Sequence, residues 1–211
     1  IADFLTLVDD KIMAHTLKAK KLQEYKLGVM QTIFTQVKRF AQNDGSTFPD
    51  WGKKQLGDIA EPVKERNSSK HADQVLTNSA VHGIMAQTEF FDKEIAVQGN
   101  LSNYYLVARD DFVYNPRISV SAPVGPFKRN NYGNGVMSPL YSVFRFRHQN
   151  LGYLEQYLET TYWHEYMKGV ANYGARHDRM AISIQDLRKM PIPYPDPAEQ
   201  QKIADLLSAI D

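Results

Sequence analysis

Residues 1–9 and 203–211 are two versions of one phrase. Ile1-Ala2-Asp3-Phe4-Leu5-Thr6-Leu7-Val8-Asp9 aligns without a gap on Ile203-Ala204-Asp205-Leu206-Leu207-Ser208-Ala209-Ile210-Asp211. Ile, Ala, Asp, Leu and Asp are identical, and the other positions exchange Phe for Leu, Thr for Ser, Leu for Ala and Val for Ile. Repeats of about 20–50 residues build solenoids, and a phrase that returns only after a domain's length of chain cannot. The spacing predicts one unit of a tandem duplication in which a helix and a domain alternate. With Ile rather than Met at position 1, it also predicts a piece taken from a longer, two-unit chain.

The repeated phrase opens a long helical pattern over residues 1–38. Apolar residues recur at spacings of four and three at Ile1, Leu5, Val8 and Ile12, then at Ala19, Leu22, Val29 and Ile33. A mean spacing near 3.5 is that of a coiled-coil seam, narrower than the stripe of a globular helix. At about 1.5 Å per residue the rod would span on the order of 50 Å, and it needs a partner helix. His15 on this face has no second histidine at helical spacing, so it reads as a packing residue.

After Asn43-Asp44-Gly45-Ser46 the pattern changes to short β-type runs broken by turn residues. Tyr104–Val107, Phe112–Tyr114, Ile118–Val120 and Tyr141–Phe146 read as strands, and Leu151 to about Tyr166 as a helix. Pro191-Ile192-Pro193-Tyr194-Pro195 cannot be helical and reads as an extended strap. Asp196-Pro197-Ala198-Glu199 then supplies an N-cap, a proline at the first helical position and an acid for the helix dipole. The fold class expected is α+β: a mixed α/β domain with a curved, antiparallel-rich sheet, flanked by a long N-terminal coiled-coil helix and the start of a second. The divisions fall at 1–40, 41–195 and 196–211.

Net charge is +1, but its distribution is uneven. No acidic residue occurs between Asp111 and Glu155, a window that holds Arg117, Lys128, Arg129, Arg145 and Arg147 among eight Phe and Tyr residues. Basic residues interleaved with aromatics predict a nucleic-acid surface, with strand core as the competing reading of the rings. The chain has no cysteine, which rules out disulfides and thiolate metal sites and fits a reducing, cytoplasmic setting. It also has no apolar stretch long enough for a membrane helix.

Catalytic constellations are not legible. His15, His71, His82, His148, His164 and His177 lack metal-ligand spacing, and His164-Glu165 is not completed by a second histidine. Gly133-x-Gly135 lacks the strand-then-helix setting of a dinucleotide loop. Asn115-Pro116-Arg117 lacks the second proline and the aromatic residue of an amino-methyltransferase motif. Neither Pro49-Asp50 nor Pro195-Asp196 is followed by the Glu-x-Lys of a nuclease.

Met190-Pro191-Ile192-Pro193-Tyr194-Pro195-Asp196-Pro197-Ala198-Glu199-Gln200-Gln201-Lys202-Ile203-Ala204 resembles the junction between a target-recognition domain and a conserved helix in the DNA-specificity subunits of type I restriction–modification systems. The opening helix, Phe112–Arg117 and Gly135–Tyr141 are similar to that family's recurring phrases. The resemblance implies a non-catalytic subunit that reads one half of a bipartite double-stranded DNA site and spaces the halves with paired helices. It also implies docking of modification (methyltransferase) subunits, association with a restriction subunit through the complex, and S-adenosylmethionine, ATP and Mg²⁺ held by those partners. Self-association through helix 1–38 is a further expectation.

Phosphate contacts are expected from Lys128, Arg129, Arg176 and Arg179, with Lys53 and Lys54 as outliers. The base-reading candidates are Asn130, Asn131, Tyr132 and Asn134, then Asn78, Ser79 and His82, with Arg117 either on DNA or structural. Two other classes compete: a methyltransferase or nuclease domain, which S-adenosylmethionine binding would reveal, and a coiled-coil assembly module that does not bind DNA.

Overall fold

A computed structural model describes residues 2–68, 72–90, 98–172 and 178–211. In chain order the elements are α1 (Ala2–Phe34), β1 (Gly52–Gln55), α2 (Leu56–Ile59), β2 (Ala60–Pro62), β3 (Leu76–Ser79), β4 (Gly83–Ala86) and α3 (Gln87–Phe90). They continue with β5 (Tyr105–Val107), β6 (Phe112–Tyr114), β7 (Phe127–Arg129), β8 (Gly135–Met137), β9 (Ser142–Phe146), α4 (Leu151–Leu158), α5 (His164–Val170), α6 (Ile184–Arg188), β10 (Pro191–Tyr194) and α7 (Pro197–Ser208). Two compact units result, Ile1–Asp50 with Pro195–Asp211, and Trp51–Tyr194.

In the first unit α1 runs for 33 residues and then stops short of the position its sequence pattern suggests. Gln36 takes a left-handed φ of 60°, and the Gln36 and Lys38 N–H groups turn back onto the Ile33 and Thr32 carbonyls at 2.8 and 3.0 Å. Only the last turns of α1 are covered: Met30, Ile33 and Phe34 are buried, where α1 packs on α7. Of the seam residues, Val29 is half-buried, while Leu5, Val8, Ile12, Ala19 and Leu22 are exposed; Ile1 lies outside the described residues. The helix start read from Asp196 is present: its side chain accepts the Ala198 N–H at 2.8 Å, with Pro197 in the first turn. Glu199, one turn in, is fully buried and forks onto Arg39 Nε and Nη2 at 3.2 and 2.9 Å. Arg39 also donates to the Phe48 and Pro49 carbonyls, so one guanidinium ties the loop before Asp50 to α7.

The second unit is α+β, and among its described residues the named strands pair antiparallel, with one isolated parallel bridge between Val75 and Val136. A four-stranded sheet in the order β2-β9-β6-β7 lies beside the pairs β3-β4, β5-β8 and β1-β10. β6 is buried on both faces: its side chains point alternately to the two sides, and Phe112, Val113 and Tyr114 give each side an apolar or aromatic group. Val113 opposes Val143 and joins Leu76, Ile84, Val107 and Met137 in one apolar cluster. On the other face Phe112, Tyr114, Phe127 and Phe144 pack, and Trp163 meets Phe127 edge-on at 6.2 Å. Most of the aromatic window is therefore core: Phe112, Tyr114, Phe127, Phe144, Phe146 and Tyr153 are all buried.

Three expected elements differ. Ile118–Val120 is not a strand but leads into a turn closed by the Ser119 and Ala122 backbones. The helix expected from Leu151 to Tyr166 is two helices, because the Trp163 indole N–H takes the Leu158 carbonyl at 3.1 Å and bends the chain between α4 and α5. The proline strap is strand β10, paired Gly52 to Tyr194 and Lys54 to Ile192. Pro191 and Pro193 lack N–H groups, so they can occupy only positions whose amides face away from β1. Their outward carbonyls accept the Tyr157 and Tyr153 hydroxyls of α4 at 3.4 and 2.8 Å.

Candidate nucleic-acid interface

The basic window is free of carboxylates in sequence but not in space. Lys128 Nζ lies 2.6 Å from Glu159, and Arg129 reaches Asp110 at 2.6 Å and Glu155 at 3.0 Å. Arg145 grips Asp111 with two bonds of 2.7 Å, and Arg147 pairs with Glu61 at 3.0 Å. The acids stand just outside the window's ends, or on β2, and the sheet brings them back onto it. Burial alone would lower the Arg129 pKa, but the hydrogen bonds to Asp110 and Glu155 more than offset this, and the pKa is raised. The hydrogen bond to Asp111 raises that of Arg145. Such pairs fix the cations' geometry and cancel much of their outward field.

The loop after β7 is similarly occupied. Asn130 is 0% exposed. Its amide donates to the Ala108 and Gly133 carbonyls at 2.7 and 2.6 Å, and its Oδ1 accepts the Tyr132 and Gly133 N–H groups. That side chain shapes the turn and has no face left for a base edge. Asn131 donates to Glu155 at 2.7 Å, Asn134 accepts the Arg109 N–H at 3.0 Å, and the half-exposed Tyr132 hydroxyl donates to Glu89 at 3.1 Å. The Glu89 hydrogen bond raises the Tyr132 pKa.

A different set of expected residues converges. Asn78, Ser79, Arg117 and Arg179 line one cleft of about 620 Å³, together with Thr77, Phe90, Ser119, Ser121 and Tyr141. Arg117 and Arg179 face each other across an isolated antiparallel bridge, held by Ile118 N–H to Asp178 O and Met180 N–H to Pro116 O, both 3.0 Å. Residues opposed in this way project to the same side. Among the described residues Arg117, which is exposed, makes no ion pair, and Arg179 has only Asp178 at 3.8 Å. His82 follows in the adjoining turn, its N–H on Ser79 Oγ at 3.2 Å and its ring edge-on to Phe90 at 6.5 Å. Arg176 lies outside the described residues. Lys54 sits over the Tyr194 ring at 3.9 Å, away from the cleft lining.

The cleft's scaffold is local. Asn78 is buried, and its amide donates to the Val113 carbonyl at 2.7 Å and to that of Pro126 at 3.3 Å. It is therefore a strut for the cleft floor. Asn115 donates to the Asn78 carbonyl and accepts the Arg117 N–H, each at 3.0 Å. Gly125, at φ 80°, lies so close to the Asn115 carbonyl that any Cβ would collide with it. Sequence reading registered Asn115-Pro116 as a turn but missed this placing role; it read Ser119 into a strand and did not single out Ser121. The signal available was Ser121-Ala122-Pro123, since proline does not continue a central strand.

Among the described residues no cluster of His, Cys, Asp and Glu is placed to hold a metal ion, and no helix is long and apolar enough to cross a membrane.

The second unit is thus an antiparallel-sheet domain whose cleft holds Arg117 and Arg179. The chain belongs to the type I restriction modification DNA specificity domain family, whose model matches residues 49–211. Its fold is similar to that of the HsdS subunit from Thermoanaerobacter tengcongensis, at 19% identity and a TM-score of 0.53, covering 99% of this chain and 49% of that one. It is also similar to a chain solved in work on complex assembly and conformational transition of the type I R-M system, at 19% identity and a TM-score of 0.51, covering 99% and 50%. The chain thus spans about half the length of these solved structures. No curated protein matches it by sequence.

Proposed function

We propose that this chain is the specificity component of a type I restriction–modification complex, and that its Trp51–Tyr194 unit reads one half of a bipartite double-stranded DNA target. What supports this reading, beside the family, is the contrast among the guanidinium groups. Arg117 and Arg179 meet on one cleft with little carboxylate opposition, whereas Arg129, Arg145 and Arg147 are closely paired. Weakly opposed guanidiniums on a concave, hydroxyl-lined surface suit phosphate oxygens and guanine edges. Ser79, Ser119, Ser121 and His82 supply polar groups around them.

In this reading the chain is non-catalytic and cytoplasmic. Modification subunits dock on it and carry S-adenosylmethionine, and ATP and Mg²⁺ belong to the restriction subunit that joins the complex. The exposed face of α1 takes a second helix, from another copy of this chain when it is alone. The reading is tested by grafting residues 51–194 into a related specificity subunit and sequencing the methylome of cells that carry the hybrid. One half of the methylated site should change while the gap between halves stays constant. A changed gap, or an unchanged site, would contradict the assignment.

A further inference from the structure

Val120 is presented to solvent in full, at 105% of its reference exposure, on the turn from Ser119 to Ala122. The turn is braced. Ser119 N–H donates to the Ala122 carbonyl at 3.0 Å and Ala122 N–H returns to Ser119 O at 3.2 Å. The Ala122 N–H also reaches Ser119 Oγ at 3.1 Å, and the Ser119 and Ser121 hydroxyls lie 3.2 Å apart. Ala122 is buried and anchors the turn's base. Bracing of this kind holds a β-branched apolar side chain outward instead of letting it collapse onto the domain.

Single exposed apolar residues are ordinary, so position matters more than exposure. Ser119 and Ser121, on either side of Val120, line the cleft that holds Arg117 and Arg179. The same cleft is lined by Val81, Phe90 and Leu140, all exposed. Phosphate binding alone gives no use for this apolar set. A DNA major groove does, because it displays one apolar feature, the C5 methyl group of thymine, and is about 12 Å wide, enough to admit such an element. The minor groove, about 6 Å wide, offers only donors and acceptors, which a valine side chain cannot engage.

We infer that the Ser119–Ala122 turn enters the major groove and that Val120 packs on a thymine methyl group, which makes it a specificity-determining residue for one A·T pair beside the arginine contacts. This rests on the DNA-reading role proposed above. The test uses the full chain and a duplex selected by it from a random-core pool. Each thymine of the selected half-site is replaced singly by deoxyuridine, which removes only the methyl group. At one position the exchange should weaken wild-type binding about fourfold, the value of burying one methyl-sized group. Val120→Ala should bind the thymine and deoxyuridine duplexes equally, with the melting temperature of the wild type as the control for folding. Sequence-selective binding that is indifferent to every exchange, or a methyl effect that persists in Val120→Ala, overturns the inference and leaves the DNA-reading role standing. Failure to select any sequence overturns both.

Discussion

Asn115 joins two parts of the cleft through one side chain: its amide donates to the Asn78 carbonyl at 3.0 Å while its Oδ1 accepts the Arg117 N–H at the same distance. The first bond secures β3 against the end of β6, and the second bends the chain so that Arg117 leaves on the Arg179 side. Replacing Asn115 with Asp keeps the acceptor for Arg117 and loses the donor to Asn78; replacing it with Ala loses both. Asn115→Ala should cost about 1–3 kcal/mol, the range for leaving a partly buried polar group unpaired, and should weaken DNA binding further than Asn115→Asp does. Denaturant titration and duplex-binding assays on both variants measure this, and equal binding by the two would separate Asn115 from the placing of Arg117.

The Arg39–Glu199 pair predicts a stability effect remote from the cleft. Glu199 is fully buried and Arg39 largely so. The Glu199 hydrogen bond is the first cause of a raised Arg39 pKa, opposed by burial. Removing the cation would take its guanidinium partner from a buried carboxylate, and breaking a buried ion pair typically costs about 3–5 kcal/mol. Arg39→Met should lower chemical stability by about that amount, and Arg39→Met with Glu199→Met should recover part of it. A double variant no more stable than the single one would contradict this account of the pair.

His164 makes stability depend on pH. Burial, then the nearby Lys168 charge, lowers its pKa from the usual histidine range, and its ring lies edge-on to Trp163 at 4.6 Å. A histidine with a lower pKa in the folded than in the unfolded state binds fewer protons when folded, so its contribution is present above the unfolded value and lost as pH falls through the folded one. The wild type should lose stability below about pH 6.5, the ordinary histidine value. His164→Gln should flatten that loss, as read from melting temperatures across the acid range.

Self-association follows from the uncovered length of α1. Leu5, Val8, Ile12 and Leu22 are exposed together with Phe4, Leu17 and Tyr25, whereas Met30 and Ile33 are buried. A seam of this length is characteristic of paired helices. Light scattering at tens of micromolar should give a dimer, and Leu5→Glu with Ile12→Glu should give a monomer. A wild-type monomer at that concentration would contradict the pairing.

What the sequence made legible was local. The Asp196-Pro197-Glu199 start of α7, the rod of α1 and the strands at Phe112–Tyr114 and Ser142–Phe146 depend on neighbours within a few residues, and each is present. The β3–β4 hairpin was not recognised because Thr77, Asn78 and Ser79 carry no apolar alternation, although all three are buried. The strap formed by Pro191 and Pro193 is a strand because it pairs with β1, far earlier in the chain, while Tyr153 and Tyr157 satisfy its outer carbonyls. Charge misled for the same reason: Arg129 meets Glu155 and Arg145 meets Asp111 by folding, and no window along the chain displays that. The cleft draws Asn78, Arg117 and Arg179 from three separate segments, so these residues could be named singly but not assembled into one lining with Ser119 and Ser121.

The central claim is that DNA is met by the Arg117–Arg179 cleft. Duplex affinity of the full chain, measured as salt rises from about 50 to 200 mM, tests it most directly, because each lost phosphate contact flattens the logarithmic salt slope by about 0.9. Arg117→Ala with Arg179→Ala should weaken binding at least tenfold at low salt and, where the guanidiniums meet phosphates, flatten the slope by one to two such steps. Lys128→Ala with Arg129→Ala, which removes cations already held by Glu159, Asp110 and Glu155, should change affinity and slope far less. The opposite ranking, with the Lys128 and Arg129 variant losing binding and the Arg117 and Arg179 variant keeping it, would contradict the account.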